Sequence, residues 1–114
     1  MIEGVGEATM TTLEILRRAR ELIRDEEHWI RSPYWQDKNG DCGGLFEDAT
    51  KFCLVGAVSF MAGRKHLSFC AARRLLAPFV PNGEDPIDFN ETHPHADVLA
   101  VLNRAIAAYE VERG

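Results

Sequence analysis

The stretch Phe52-Cys53-Leu54-Val55-Gly56-Ala57-Val58-Ser59-Phe60-Met61 decides the fold of this chain. It is apolar on every side of a helical projection, which is typical of a helix that is covered by neighbours all round. A buried parallel strand is the alternative for so short an apolar run. We favour a helix because the run is longer than an ordinary strand and contains Gly, Ala and Met. The expected helix begins at Asp48 as its N-cap and ends near Ala62, with Gly63 after it.

The first helix has the clearest start signal in the chain. Thr11 is a favourable N-cap, and Glu14 stands where the second residue of a capping box is expected. Apolar residues at helical spacing then form one face that extends to Ile30, with arginines and acidic residues on the opposite face.

Two long loops separate the remaining helices. Residues 31–47 and 78–91 are rich in Gly, Pro, Asn and Asp, the residues that favour turns. A short third helix covers about 68–77, and the last helix starts within 92–95 and ends near Val111. No strand pattern is convincing, so the sequence predicts an all-α fold: a compact four-helix domain around a central buried helix, with two long loops.

Composition predicts one domain over 1–114, with 1–10 as a flexible N-terminus. The chain has 114 residues, of which 46% are hydrophobic and 27% charged. A formal net charge of −5 argues against a dedicated nucleic-acid binder, and no apolar run has the length of a membrane span. Residues 1–10 carry no secretory signal pattern. The odd number of cysteines favours free thiols in a reducing, cytoplasmic compartment; they are Cys42, Cys53 and Cys70.

Several segments occur in an order that resembles a known family. They are Trp29 after an amphipathic helix, Lys-Phe-Cys-Leu-Val-Gly-Ala at 51–57, Phe89-Asn90, and a closing Val-Leu…Ala-Ile helix at 98–106. The order resembles small bacterial and phage-associated proteins classed as a domain of unknown function, with a Cys-x-x-Gly-Ala helix and an aromatic-Asn-Asp turn. This chain has Glu91 where that family has Asp. The resemblance covers nearly the whole chain and implies a bacterial or prophage setting, but no activity, substrate or cofactor.

Cys53, with His93 or His95 and with Asn90, supplies the residue types of a thiol-dependent hydrolase or transferase. Packing is the alternative interpretation. Cys53 and Gly56 would then form a groove of small side chains, and Asn90 would satisfy turn hydrogen bonds. His93 would be solvated, and His95 would cover the edge of the core. We favour packing, because Cys53 lies deeper in the expected helix than the first turn, where the helix dipole lowers a thiol pKa.

Metal binding has weak support in the sequence. His66 and Cys70 are four residues apart, but a structural zinc site usually shows two close ligand pairs. We therefore predict no metal site and no cofactor.

Aromatic residues are concentrated around the two loops and favour recognition of a partner. We expect a non-enzymatic helical module that binds another protein or a small ligand. The candidate contact residues are Trp29, Tyr34, Trp35 and Phe89.

Overall fold

The computed structural model describes residues 11–31, 34–40, 46–63 and 67–113. Within these ranges it contains five α-helices and one small sheet of two strands. The prediction of a mostly helical fold is confirmed, but the prediction of a four-helix, strand-free fold is not. The expected flexible segment 1–10, Cys42 and His66 lie outside the described residues.

Helix α1 covers Thr12–Ile23 and begins with the predicted capping box. The backbone N–H of Glu14 donates to Thr11 Oγ1 over 3.1 Å, and the backbone N–H of Thr11 donates to Glu14 Oε1 over 3.3 Å. The helix does not continue to Ile30, because a 3₁₀ turn at Glu26–His28 redirects the chain. The residues that α1 buries are Leu13, Leu16, Ala19 and Ile23.

Strand β1 (Trp35–Asp37) pairs antiparallel with strand β2 (Ala49–Phe52). Trp35 lies opposite Phe52 in this register, and both side chains are buried in the core. The two residues before Phe52 are exposed. The predicted helix start at Asp48 is therefore wrong, because the chain pairs as a strand up to Phe52 before it becomes helical.

Helix α2 covers Leu54–Ala62, most of it is buried, and Gly63 ends it with a left-handed φ of 86°. It packs against α1, α3 (Phe69–Leu76) and α4 (Pro86–Thr92). The long helix α5 (His95–Arg113) packs chiefly against α1. Helix α2 is therefore buried without being the single centre of the bundle that the sequence predicted.

Helix α4 replaces part of the predicted loop 78–91. Pro86–Thr92 is helical, with Pro86 in the first turn. The carboxylate of Asp85 caps the helix by accepting from the backbone N–H of Ile87 over 3.0 Å. The preceding residues, 77–83, form two short 3₁₀ turns. This short helix carries Phe89 and Asn90 into the interior, where both are buried.

Candidate functional site

The side chain of Asn90 joins three separate segments inside the molecule. Its Oδ1 accepts from Trp29 Nε1 over 2.7 Å and from the backbone N–H of Leu54 over 3.1 Å. Its Nδ2 donates to the carbonyls of Ile30 and Arg31 over 3.0 and 2.9 Å. These bonds use both oxygen lone pairs and both amide hydrogens of a fully buried residue. We call this arrangement the Asn90 clamp.

Arg31 extends the clamp at the surface. Its Nη1 donates to the carbonyls of Glu91 and His93 over 3.0 and 2.9 Å. These carbonyls lie at the C-terminal end of α4, where helices leave acceptors unpaired and favour positive charge. The guanidinium carbon of Arg31 lies 5.1 Å from the ring centroid of Trp29, within the range of a cation–π contact.

Cys53 is the N-cap of α2. The backbone N–H of Gly56 donates to Cys53 Sγ over 3.3 Å, and the residue is only 3% exposed. Burial raises the pKa of this thiol from 9.0 to about 11, although the hydrogen bond from Gly56 favours the thiolate. The thiol is therefore protonated at neutral pH, whereas the thiolate is the nucleophilic form of cysteine.

Gly56 allows α2 to lie directly against the backbone of Tyr34. A Cβ at Gly56 would lie 2.2 Å from the Tyr34 carbonyl oxygen. The same oxygen accepts from the backbone N–H of Cys53 over 3.0 Å. The Cys-x-x-Gly spacing thus combines a helix cap with a close backbone approach. The neighbour that requires the glycine is the backbone of Tyr34, the residue just before β1.

The ring of His93 is fixed by acceptors at Nδ1. This atom lies 3.1 Å from the Phe89 carbonyl oxygen and 3.0 Å from Thr92 Oγ1. The Thr92 hydroxyl donates its hydrogen to the Asp88 carbonyl over 2.9 Å, so it accepts at His93. We therefore assign the hydrogen of neutral His93 to Nδ1. The other nitrogen, Nε2, lies 4.0 Å from Glu84 Oε2.

His95 connects the start of α5 to the end of α1. Its Nε2 lies 2.7 Å from the carbonyl oxygen of Ile23, which can only accept. Its ring packs against Trp29 at a centroid distance of 5.3 Å. Neither His93 nor His95 is among the hydrogen-bond partners of Asn90.

Three of the four predicted contact aromatics lie in the core. Trp29, Trp35 and Phe89 are 8%, 9% and 3% exposed. Tyr34 is half-buried and stacks on Phe69, with ring centroids 4.2 Å apart. The expected exposed aromatic patch is therefore not formed by the two tryptophans and Phe89, while a contact role for Tyr34 stays a prediction.

A small pocket lies between the 3₁₀ turn at 81–83, the end of α4 and the first half of α5. Its volume is about 240 Å³. Phe89 and Ala100 contribute apolar surface, and His93 contributes its ring. We call it the α4–α5 pocket, and its lining residues are Pro81, Asn82, Phe89, His93, Asp97, Ala100 and Arg104.

The two charged residues of this pocket have opposite signs and are not paired with each other. Arg104 Nε donates to the carbonyl of Phe79 over 3.0 Å, which leaves the other guanidinium N–H groups available. In the described part of the chain, no hydrogen bond or ion pair engages the Asp97 carboxylate. The pocket thus offers a carboxylate and a guanidinium to a ligand.

Sequence reasoning identified His93 and Phe89 for other roles and missed the rest of this pocket. Residues 97, 100 and 104 recur at i, i+3 and i+7, which places them on one side of α5. This spacing could have indicated, from the sequence alone, that the three residues share one side of the helix. Nothing in the sequence placed Pro81 and Asn82 against this side of the helix, because that contact depends on the unexpected helix α4.

A second depression, of about 490 Å³, lies on the surface of α1 and α2. It is shallow, and Leu22 and Met61 supply its apolar surface. One of its arginines, Arg17, is already paired with Glu110 over 2.6 Å. It is less suited to a small ligand than the α4–α5 pocket.

Metal ligands do not converge anywhere in the described ranges. No group of three or more His, Cys, Asp or Glu side chains there could hold a metal ion. Cys70 is exposed, and His66, the other candidate ligand in the sequence, lies outside the described residues. The structure therefore does not test whether these two residues bind a metal.

The structure thus shows a small, mostly helical domain with a pocket of about 240 Å³ between α4 and α5. The chain belongs to a family of unknown function, DUF6197, whose family model matches residues 7–108. The predicted resemblance to a domain of unknown function is confirmed at this level. Comparison with curated proteins and with solved structures found no match. None of the described helices is long and apolar enough to cross a membrane.

Proposed function

We propose that this chain is a non-catalytic binding domain whose ligand occupies the α4–α5 pocket. The observation that carries this proposal is a pocket that brings together two exposed, oppositely charged side chains, Asp97 and Arg104, beside the buried ring of Phe89. Convergent polar groups beside an apolar wall are the usual composition of a small-molecule site.

The contacts of the candidate catalytic residues support a structural role for them. The Asn90 amide accepts two hydrogen bonds, from Trp29 and Leu54, and donates two to backbone carbonyls, so all of its donors and acceptors are engaged. Burial keeps the Cys53 thiol protonated. A thiol–imidazole–amide triad needs the amide to orient the imidazole, and the amide of Asn90 is fully engaged elsewhere.

The size of the pocket favours a small ligand over a protein partner. Pockets for drug-sized molecules have volumes of roughly 300–1,000 Å³, and this one has about 240 Å³. It therefore suits a ligand of metabolite size. The sequence also allows a protein as the partner. A protein partner would occupy this pocket by inserting a single side chain.

Binding can be tested by recording ¹⁵N–¹H correlation spectra of the full chain with a library of polar fragments. We expect hits to shift the amide signals of Asn82, Ala100 and Arg104. The variant Ala100→Leu fills the pocket and should abolish these shifts. Ala107→Leu is the matched control, because Ala107 is an exposed alanine of the same helix.

Two outcomes would contradict the proposal. One is a library without any hit. The other is a set of hits whose shifts persist in Ala100→Leu, since the ligand would then bind elsewhere. Circular dichroism of both variants checks that the loss of binding does not reflect unfolding.

A thiol-dependent hydrolase or transferase that uses Cys53 remains the alternative, and alkylation tests it. In a variant with Cys42→Ser and Cys70→Ser, Cys53 is the remaining thiol. We expect iodoacetamide to label it far more slowly in the native protein than in urea. Labelling at the rate of an exposed thiol would favour the catalytic alternative.

The cytoplasmic location and the bacterial or phage setting also stay proposals. The location is supported by two described cysteines, Cys53 and Cys70, that are free thiols.

A further inference from the structure

We infer that the α4–α5 pocket takes a small zwitterion, a molecule of amino-acid size that carries both an ammonium group and a carboxylate. This inference rests on the proposed function, since it presumes that the pocket binds a ligand. It adds the chemical class of that ligand, which follows from the charges and the pairing of the lining residues.

One side of the pocket is rich in acceptors. The hydrogen of His93 lies on Nδ1, because the Phe89 carbonyl and the Thr92 hydroxyl both accept there. His93 Nε2 lies 4.0 Å from Glu84 Oε2, so a second carboxylate lies close to this side of the pocket. The unpartnered carboxylate of Asp97 lines the same pocket.

An ammonium group fits these acceptors better than a metal ion or a neutral donor. It has three N–H donors and a positive charge, and it pairs with carboxylates through charge-assisted hydrogen bonds. The described His, Asp and Glu side chains do not converge closely enough for a metal ion.

The other side of the pocket offers donors. The bond from Arg104 Nε to the Phe79 carbonyl holds the side chain in place. The remaining guanidinium N–H groups form the planar fork that binds a carboxylate. In the part of the chain that the structure describes, no acidic side chain forms an ion pair with Arg104.

A ligand with a single charge fits this arrangement less well. A simple amine would leave Arg104 unpaired and bring a second cation near it. A simple carboxylate would be repelled by Asp97 and by Glu84 beside His93. Asp97 and Arg104 lie seven residues apart on α5, about 10 Å along the helix axis, and both reach the one pocket. A molecule with one charge of each sign at opposite ends satisfies both residues.

The probes are glycine and the ω-amino acids β-alanine, 4-aminobutanoate and 6-aminohexanoate, whose two charges lie progressively further apart, with propylamine and propionate as single-charge controls at matched ionic strength. Each is titrated into the full chain while the amide signals of Asn82, Ala100 and Arg104 are followed. We expect at least one amino acid to shift these signals. Propylamine and propionate should bind about tenfold more weakly or not at all.

Two variants test the assigned groups. Asp97→Asn and Arg104→Gln should each raise the Kd of the amino acid about tenfold. The matched controls, Asp88→Asn and Arg74→Gln, alter exposed charges that do not line the pocket and should leave the Kd unchanged.

The outcomes separate this inference from the proposed function. Amino-acid binding that both pocket variants weaken supports it. If propylamine or propionate binds as tightly as the amino acid, the inference of a zwitterionic ligand is wrong, and the pocket takes a ligand with a single charge. If no probe binds while library fragments still bind in a manner sensitive to Ala100→Leu, the inference fails and the proposed function stands. If neither probes nor fragments bind, both fail.

Discussion

At the scale of single residues, Asn90 has four hydrogen-bond partners that depend on it. Its amide satisfies the indole of Trp29, the first backbone N–H of α2 and two carbonyls before β1. Buried polar groups that lose a partner keep their full desolvation cost. The sequence marked Asn90 as important but could not separate a clamp from a catalytic amide, because both roles need only hydrogen bonds.

We expect Asn90→Asp to lower the free energy of unfolding by about 3 kcal/mol or more. The second carboxylate oxygen would face the carbonyl oxygens of Ile30 and Arg31, so two donated hydrogen bonds would become contacts between acceptors. Urea denaturation measures the change. Asn103→Asp is the control: Asn103 is exposed and accepts from Arg20 over 3.0 Å, so its substitution should change stability by less than about 0.5 kcal/mol. Similar values for the two variants would contradict the clamp.

The buried thiol of Cys53 makes stability depend on alkaline pH. In the unfolded chain the thiol ionises near its ordinary pKa of 9.0, whereas in the native state burial raises that pKa to about 11. Between these values the unfolded state binds fewer protons than the native state, so stability falls as pH rises. Two pKa units correspond to about 2–3 kcal/mol.

We therefore expect the wild-type chain to lose about 2 kcal/mol more than Cys53→Ser between pH 9 and pH 11. The serine variant keeps an acceptor for the Gly56 N–H and does not ionise in this range. Urea denaturation of both proteins at each pH measures the difference between their free energies of unfolding. The contributions of the other titrating residues cancel in this difference. Parallel curves for the two proteins would mean that Cys53 is not buried in the native state.

At the scale of elements, the sequence predicts some helix boundaries correctly and misses other elements. The capping box of α1 and the glycine after α2 were readable, because caps are set by residues close in sequence. Strand β2 was missed because its pairing partner β1 lies within residues 31–47, which were predicted as a loop. Helix α4 was missed although Asp85-Pro86 is a standard helix start, since the neighbouring turn signals dominated the interpretation.

The close contact between α2 and Tyr34 predicts that Gly56→Ala is destabilising. Alanine favours a helix interior by about 1 kcal/mol over glycine, but its Cβ would lie 2.2 Å from the Tyr34 carbonyl oxygen. We expect a net loss of about 2 kcal/mol or more in the free energy of unfolding, measured by urea denaturation. Gly40→Ala gives the comparison: Gly40 has a positive φ of 81° and no neighbour within 4 Å of a Cβ. That variant should lose about 1 kcal/mol from backbone strain alone. A stabilised Gly56→Ala would contradict the close approach.

At the scale of the whole molecule, the core contains large apolar residues from helices that are far apart in the sequence. Leu16 of α1, Leu54 of α2, Leu76 of α3 and Leu102 of α5 are all fully buried in one cluster. The prediction of one domain over 1–114 stays a prediction, and this shared core supplies its test. The sequence placed Leu54 in the apolar run at 52–61 but did not give the packing partners of these leucines, because packing partners depend on how the helices are arranged.

We expect Leu16→Ala and Leu102→Ala each to cost about 2–5 kcal/mol, as buried leucines do. If the chain is one cooperative unit, both variants should unfold in a single transition, with far-UV and near-UV circular dichroism changing together. Val111→Ala removes an apolar side chain that is 80% exposed and should have little effect. Two separate transitions, with each leucine affecting only one of them, would show that the chain contains two units.

The order in which the residues of the Asn90 clamp occur along the chain also has a consequence for biosynthesis. Trp29 and Leu54 emerge from the ribosome well before Asn90, and α1 emerges long before α5, the helix against which it packs. A nascent chain that ends before Asn90 therefore lacks the acceptor of the Trp29 indole N–H, and α1 then has α2 but not α5 to cover it. We expect this protein to reach its native state only after translation is nearly complete, with its early segments dependent on their last-made partners.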